Sequence, residues 1–115
     1  MDDRDGVIWM DGEWLPWREA KVHVLTHTLH YGAGVFEGIR AYNTDKGAAI
    51  FKLQEHTDRL FRSAQILMMN VPFTKDELNK AQREAISLNQ LDSAYIRTMC
   101  FYGSEGMGLR ADNLK

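Results

Sequence analysis

A chain of 115 residues is long enough for one domain with a real hydrophobic core. Its 44% apolar and 26% charged residues are the proportions of a folded globular domain and argue against disorder. Fourteen basic against sixteen acidic residues give a net charge of −2, with no basic run to match a nucleic-acid backbone; a single well-placed arginine can still bind a single phosphate.

The lone cysteine, Cys100, excludes an internal disulfide. Apolar runs are only a few residues long, too short for a membrane span. The start, Met1-Asp2-Asp3-Arg4-Asp5, is acidic and unlike a secretory signal. The expectation is a cytoplasmic protein with neither a membrane nor a nucleic-acid partner.

The first predicted element is a hairpin. Val7, Ile8 and Trp9 lead into Asp11-Gly12, and Trp14, Leu15 and Trp17 follow. Asp-Gly suits a tight turn because both residues take positive φ at low cost. Pro16 confines the second strand to an edge or an early end. Residues 20–34 read as a loop or irregular turn, since Val22 and Val24 favour extended chain and Gly32 and Gly34 oppose a helix.

A strand is predicted over 35–42, with Phe36, Gly38, Arg40 and Tyr42 on one face and Val35, Glu37, Ile39 and Ala41 on the other. A turn over 43–47 returns the chain into a strand over 48–52. Helical spacing of Leu60, Phe61, Ala64, Leu67 and Met68 predicts a helix over 54–68, stopped by Asn70-Val71-Pro72. Thr74-Lys75-Asp76-Glu77 fits a capping box opening a second helix, whose apolar stripe is Leu78, Ala81, Ala85 and Leu88. A last strand over 94–102 places Tyr95, Arg97, Met99 and Phe101 on one face, before a glycine-rich loop over 103–108. The sum is an α+β domain: an antiparallel sheet of about five strands packed against two helices.

Three groups invite a chemical reading. His23, His27 and His30 have ligand-like spacing, but the surrounding valines and glycines oppose a helix and no zincin glutamate follows, so structural hydrogen bonds are expected rather than a metal site. Gly103-Ser104-Glu105-Gly106-Met107-Gly108 lacks the Gly-Lys-Ser/Thr ending of a P-loop; it is either a plain loop or a backbone that lets a ligand come close. Arg97 beside Tyr95, in an otherwise apolar strand, either faces water or recognises an anion, because burying it unpaired is too costly. Arg59 shares a helix face with His56, and composition alone does not lift it above an ordinary solvated arginine.

The run His27-Thr28-Leu29-His30-Tyr31-Gly32-Ala33-Gly34-Val35-Phe36-Glu37-Gly38-Ile39-Arg40-Ala41-Tyr42 resembles a signature of the fold-type IV aminotransferases, and within them the bacterial branched-chain enzymes. Glu55-His56-Thr57-Asp58-Arg59-Leu60, Ser93-Ala94-Tyr95-Ile96-Arg97 and Gly106-Met107-Gly108 match in the same order, and the hairpin with Trp9 and Asp11-Gly12-Glu13 also fits. The resemblance covers essentially the whole chain.

The resemblance implies the small N-terminal domain of a two-domain enzyme that uses pyridoxal 5'-phosphate. Its reaction is transamination of leucine, isoleucine and valine with 2-oxoglutarate, giving branched-chain 2-oxo acids and L-glutamate. Arg59 matches the arginine that binds the cofactor phosphate. Phe36 and Gly38 match a wall of the substrate pocket, Tyr95 a tyrosine near the substrate α-carboxylate, and Arg97 the residue that accepts the side-chain carboxylate of glutamate. Tyr31, Met107, Gly108 and Leu109 match positions that reach the pocket from the other subunit, which implies a homodimer or a higher homo-oligomer. The family's cofactor-bearing lysine is expected beyond residue 115, since none of Lys21, Lys46, Lys52, Lys75, Lys80 and Lys115 sits in its motif, so no catalytic residue is assigned here and the chain alone is expected to be inactive. Other readings are a D-amino-acid aminotransferase, an aminodeoxychorismate lyase, or a non-catalytic binding or dimerisation domain of the same fold.

Overall fold

The hairpin forms as the sequence predicts: β1 (Val7–Met10) pairs antiparallel with β2 (Glu13–Pro16). Asp11 and Gly12 turn the chain with φ of 54° and 89°, the positive-φ pair that a two-residue hairpin turn needs. Pro16, without an N–H, closes β2. This is a computed structural model, and it describes residues 5–104.

The other three strands build a separate sheet of order β4-β3-β5, all antiparallel: β3 (Gly34–Thr44), β4 (Gly47–Ile50) and β5 (Ala94–Phe101). Five antiparallel strands are therefore present, but in two sheets rather than one. The edge of β1 is met by a side chain instead of a strand. Asn89 accepts from the Val7 N–H through Oδ1 at 2.8 Å and donates through Nδ2 to the Val7 carbonyl at 3.0 Å. The ring of Trp9 meets that of Phe73 edge-on at 4.9 Å, fastening the same hairpin to the body of the domain.

Within the stretch expected to be irregular, a five-residue helix forms, α1 (His27–Tyr31), ended by Gly32 with φ 74°. Five residues are too few to show a period, and tertiary bonds hold this turn. The Thr28 hydroxyl donates to the Ala33 carbonyl at 2.7 Å and accepts from the Tyr102 N–H at 2.8 Å, while the His27 N–H donates to the Gly103 carbonyl at 3.0 Å.

α2 (Leu53–Ile66) lies across one face of the three-stranded sheet; Leu60 and Ala64 of the helix and Ile39 and Ala41 of β3 are buried, and Ala64 packs with Val35, Met69 and Tyr102. Full burial of each large aliphatic side chain is worth about 1.5–3 kcal/mol. The helix stops before the predicted residue 68. Met68 takes a left-handed φ of 59°, and the Met68 and Met69 N–H groups donate back to the carbonyls of Gln65 and Ala64, a Schellman ending. Met69 then packs on Ala64 and Tyr102, as that motif favours.

α3 (Lys75–Leu88) opens with the predicted capping box: Thr74 Oγ1 accepts from the Glu77 N–H, and the Glu77 carboxylate accepts from the Thr74 N–H. Its buried side is Leu78, Asn79, Ala81, Gln82 and Ile86, with Leu88 outside. The apolar stripe missed Asn79 and Gln82 because they bury by pairing. The Thr57 hydroxyl donates to Asn79 Oδ1 at 2.6 Å and accepts from Gln82 Nε2 at 3.2 Å, and Asn79 Nδ2 donates to Gln54 Oε1 at 2.9 Å.

Candidate functional site

The outer face of the three-stranded sheet is uncovered by helix. Strand alternation brings Phe36, Gly38, Arg40 and Tyr42 of β3 to this face, as the sequence predicts, with Tyr95, Arg97 and Met99 of β5 beside them. In the antiparallel register Phe36 lies opposite Met99, Gly38 opposite Arg97, and Arg40 opposite Tyr95. Large side chains remain exposed here, Phe36 at 58% and Tyr95 and Met99 at 53% each.

Three of these residues lock together. The Arg97 guanidinium carbon sits 4.4 Å from the Phe36 ring centroid, and Nη2 donates to the Tyr95 hydroxyl at 3.1 Å. Gly38 makes the arrangement possible: a Cβ there would fall 2.8 Å from Tyr95 Cζ and still closer to its hydroxyl. The space left by the glycine is thus filled by the Tyr95 ring. A second cation, Arg40, lies with its Cζ 5.8 Å from the same ring. Among the described residues neither arginine has an acidic partner. An apolar surface with an unneutralised guanidinium suits a ligand that is part aliphatic, part anionic.

The opposite face of β3 holds the other candidate, Arg59. From α2 it reaches Glu37, donating through Nε to Oε2 at 2.8 Å and through Nη2 to Oε1 at 2.7 Å. His56, one turn earlier, approaches Oε1 with Nδ1 at 2.7 Å. The Glu37 carboxyl is held below the usual carboxylate range, first by the hydrogen bond from Arg59, against the opposing effect of burial, with His56 adding to the shift. An ionised carboxylate only accepts, so His56 Nδ1 carries the proton. The Arg59 guanidinium is held above its ordinary value by the same pair. The Glu37 side chain is 5% exposed and that of Arg59 58%. The arginine is therefore gripped from below and open above.

Consecutive residues Phe36 and Glu37 thus carry the two halves of the site on opposite faces of one strand. Glu37 and His56 went unassigned in the sequence. The available signals were a carboxylate falling on the apolar face of a strand, which demands a cation, and a histidine and arginine three apart on the following helix.

Tyr31 ends α1 on the surface, its ring beside His27 at 4.5 Å and His30 at 6.3 Å, and makes no ring contact with the sheet-face group among the described residues. Met107, Gly108 and Leu109 lie outside the described residues. Two of the histidines make the expected structural hydrogen bonds: His23 Nδ1 accepts from the Leu25 N–H at 3.0 Å and His30 Nε2 donates to the Val24 carbonyl at 2.8 Å; buried His27 instead packs its ring against Tyr31 and Tyr102, its Nδ1 without a hydrogen-bond partner among the described residues. Among the described residues no helix is long and apolar enough to cross a membrane, and no cluster of three or more His, Cys, Asp or Glu side chains could hold a metal. Two surface grooves, one beside the end of α2 and one between β4 and α3, include none of the site residues.

Known proteins share this architecture. A family profile described as "Amino-transferase class IV" matches residues 34–115. The chain is 67% identical over all its 115 residues to a branched-chain-amino-acid aminotransferase of Pseudomonas aeruginosa, of which it covers 38%. It is 50% identical over 102 residues, 89% of its length, to the Escherichia coli K12 protein of the same name, of which it covers 33%. Among solved structures it is similar to a thermophilic archaeal branched-chain aminotransferase, that of Thermoproteus uzoniensis with norvaline, with a TM-score of 0.89 and 39% identity, over 96% of this chain and 38% of that one. A further branched-chain amino acid aminotransferase, complexed with N-(5'-phosphopyridoxyl)-L-glutamate, matches with a TM-score of 0.88 and 46% identity, over 97% of this chain and 37% of that one. The chain thus spans between a third and two fifths of the length of the curated relatives it matches.

Proposed function

The chain belongs to the class IV aminotransferases, and on that premise we propose that it is the N-terminal domain of a two-domain branched-chain-amino-acid aminotransferase. The parent enzyme would exchange the amino group of leucine, isoleucine or valine with 2-oxoglutarate, yielding the branched-chain 2-oxo acid and L-glutamate. It would act in the cytoplasm as a homodimer or a higher homo-oligomer.

One observation carries this reading: Arg97 fixed against Phe36 and Tyr95 at the edge of an open apolar face. Such an enzyme must hold an aliphatic side chain in one half-reaction and a carboxylate in the other. Phe36 and the open face of the Tyr95 ring, which lies over Gly38, take the aliphatic groups, and Arg97 takes the glutamate side-chain carboxylate with a charge-assisted bond. Tyr95, hydrogen-bonded to Arg97, stands ready for the substrate α-carboxylate. Tyr31, Met107, Gly108 and Leu109 would complete the pocket of the neighbouring subunit.

The residues present fit pyridoxal 5'-phosphate. Two of the five guanidinium N–H groups of Arg59 engage Glu37, and the other three have no partner among the described residues. A phosphate needs such an open, fixed fork of donors. The chemistry supplied by bound pyridoxal phosphate is that of an electron sink for the α-carbon. The lysine that bears it would come from the second domain, and this chain contributes binding and orientation.

The test is turnover of L-leucine, L-isoleucine and L-valine with 2-oxoglutarate by the parent protein. Absence of turnover with all three would overturn the reading.

A further inference from the structure

We infer that Glu37 is a positioning residue for the cofactor phosphate: by holding Arg59 side-on, it aims the tip of the guanidinium at the phosphate site. This rests on the proposed role of Arg59 as phosphate anchor.

The geometry is specific. Glu37 takes the Nε and Nη2 edge of the guanidinium with both carboxylate oxygens. What remains includes a second parallel fork, one N–H from each Nη, at the tip of the group. A free arginine samples many rotamers, and here a bidentate pair from a buried carboxylate removes that freedom before any ligand arrives. Glu37 is in turn fixed. It sits on the buried face of β3, flanked along the strand by Val35 and Ile39, and His56 Nδ1 also donates to Oε1. The exposure difference between the two side chains fits this division: the carboxylate is inside, and the guanidinium is at the surface.

A rival effect has the opposite sign. A carboxylate beside the guanidinium weakens its pull on an anion, so removing the charge alone would tighten phosphate binding. Loss of aim would loosen it. Glu37→Gln separates the two, because it keeps the shape, removes the charge, and turns an amide N–H₂ toward the arginine's donors.

The experiment is equilibrium titration of the cofactor-free parent enzyme with pyridoxal 5'-phosphate and, separately, with pyridoxal. The readout is the ratio of the two affinities, which isolates the phosphate. Arg59→Ala is expected to lower that ratio by about tenfold to a hundredfold, the worth of charge-assisted bonds. Glu37→Gln is expected to lower it by roughly tenfold, with the affinity for pyridoxal unchanged and no further loss when combined with Arg59→Ala. Arg59→Lys keeps the charge, loses the side-on fork, and is expected to fall in the same way without touching a buried residue. If Arg59→Ala leaves the ratio intact, the anchor reading fails and this inference with it. If Arg59→Ala lowers it but Glu37→Gln leaves it unchanged or raises it, or Arg59→Lys retains it, the anchor stands and positioning by Glu37 is overturned.

Discussion

Arg97 and Phe36 are diagonal neighbours across β3 and β5, with the guanidinium carbon 4.4 Å from the ring centroid. The pair puts a cation at the rim of an apolar face without burying it. Tyr95 holds the same guanidinium from the side through its hydroxyl. On the proposed function, dual recognition would need no conformational switch: the aliphatic substrate would use the ring, and the dicarboxylate would use the cation.

Arg97→Ala should therefore hurt the two half-reactions unequally. Loss of one charge-assisted bond predicts a fall of about tenfold to a hundredfold in kcat/KM for glutamate and 2-oxoglutarate. The corresponding value for leucine should change by no more than about threefold, since aliphatic contact is retained. Steady-state kinetics with each amino donor checks this, and equal losses would remove the proposed role.

Gly38→Ala should damage the site more than the fold. The added Cβ collides with the Tyr95 ring, but that ring is 53% exposed and can swing into solvent. The stability cost should stay below about 1 kcal/mol, as for other surface changes. Turnover should nevertheless fall about tenfold, because Tyr95 leaves Arg97. Thermal melting and kinetics on the same sample separate the two effects; a large melting shift would mean that Tyr95 cannot move.

Acid stability should report the Glu37 pair. The folded carboxyl titrates below its ordinary value of 4.5, held there chiefly by Arg59. A depressed carboxylate contributes stability at neutral pH, and that contribution is lost as pH falls below about 4.5 through the folded value. Glu37→Gln should lower the melting temperature at pH 7 and converge on the unaltered protein in acid. Parallel melting curves at every pH would show that the pair contributes nothing to stability.

Asn89 should anchor the N-terminal hairpin. Its side chain makes both backbone bonds of Val7 and also donates to the Ala85 carbonyl at 2.7 Å. Asn89→Ala is expected to cost about 2–3 kcal/mol, from three hydrogen bonds near 1 kcal/mol each. Hydrogen exchange of the Val7 and Trp9 amides should quicken more than that of β3, whose ladder is untouched.

Much of this domain is legible in the sequence because local chemistry dominates there. Asp11-Gly12 and the Thr74–Glu77 box carry their own geometry, and strict alternation assigns both faces of β3. What escapes is tertiary. α1 is held by Thr28 bonding to Ala33 and Tyr102, α2 ends early on the left-handed Met68, and Asn89 fills the place of a strand. The site divides in the same way. Tyr95 and Arg97 share a face by spacing alone, whereas the grip of Glu37 on Arg59 joins residues 22 apart in sequence and needs the packing of α2 on the sheet.

If Phe36, Tyr95 and Arg97 form the substrate-recognition face of a branched-chain-amino-acid aminotransferase, the parent enzyme must choose its amino donor accordingly. Amino transfer to 2-oxoglutarate, measured in parallel from L-leucine and from D-alanine, reads that choice. Efficient transfer from L-leucine and little from D-alanine is the expected result, and a preference for D-alanine would refute this assignment of the face.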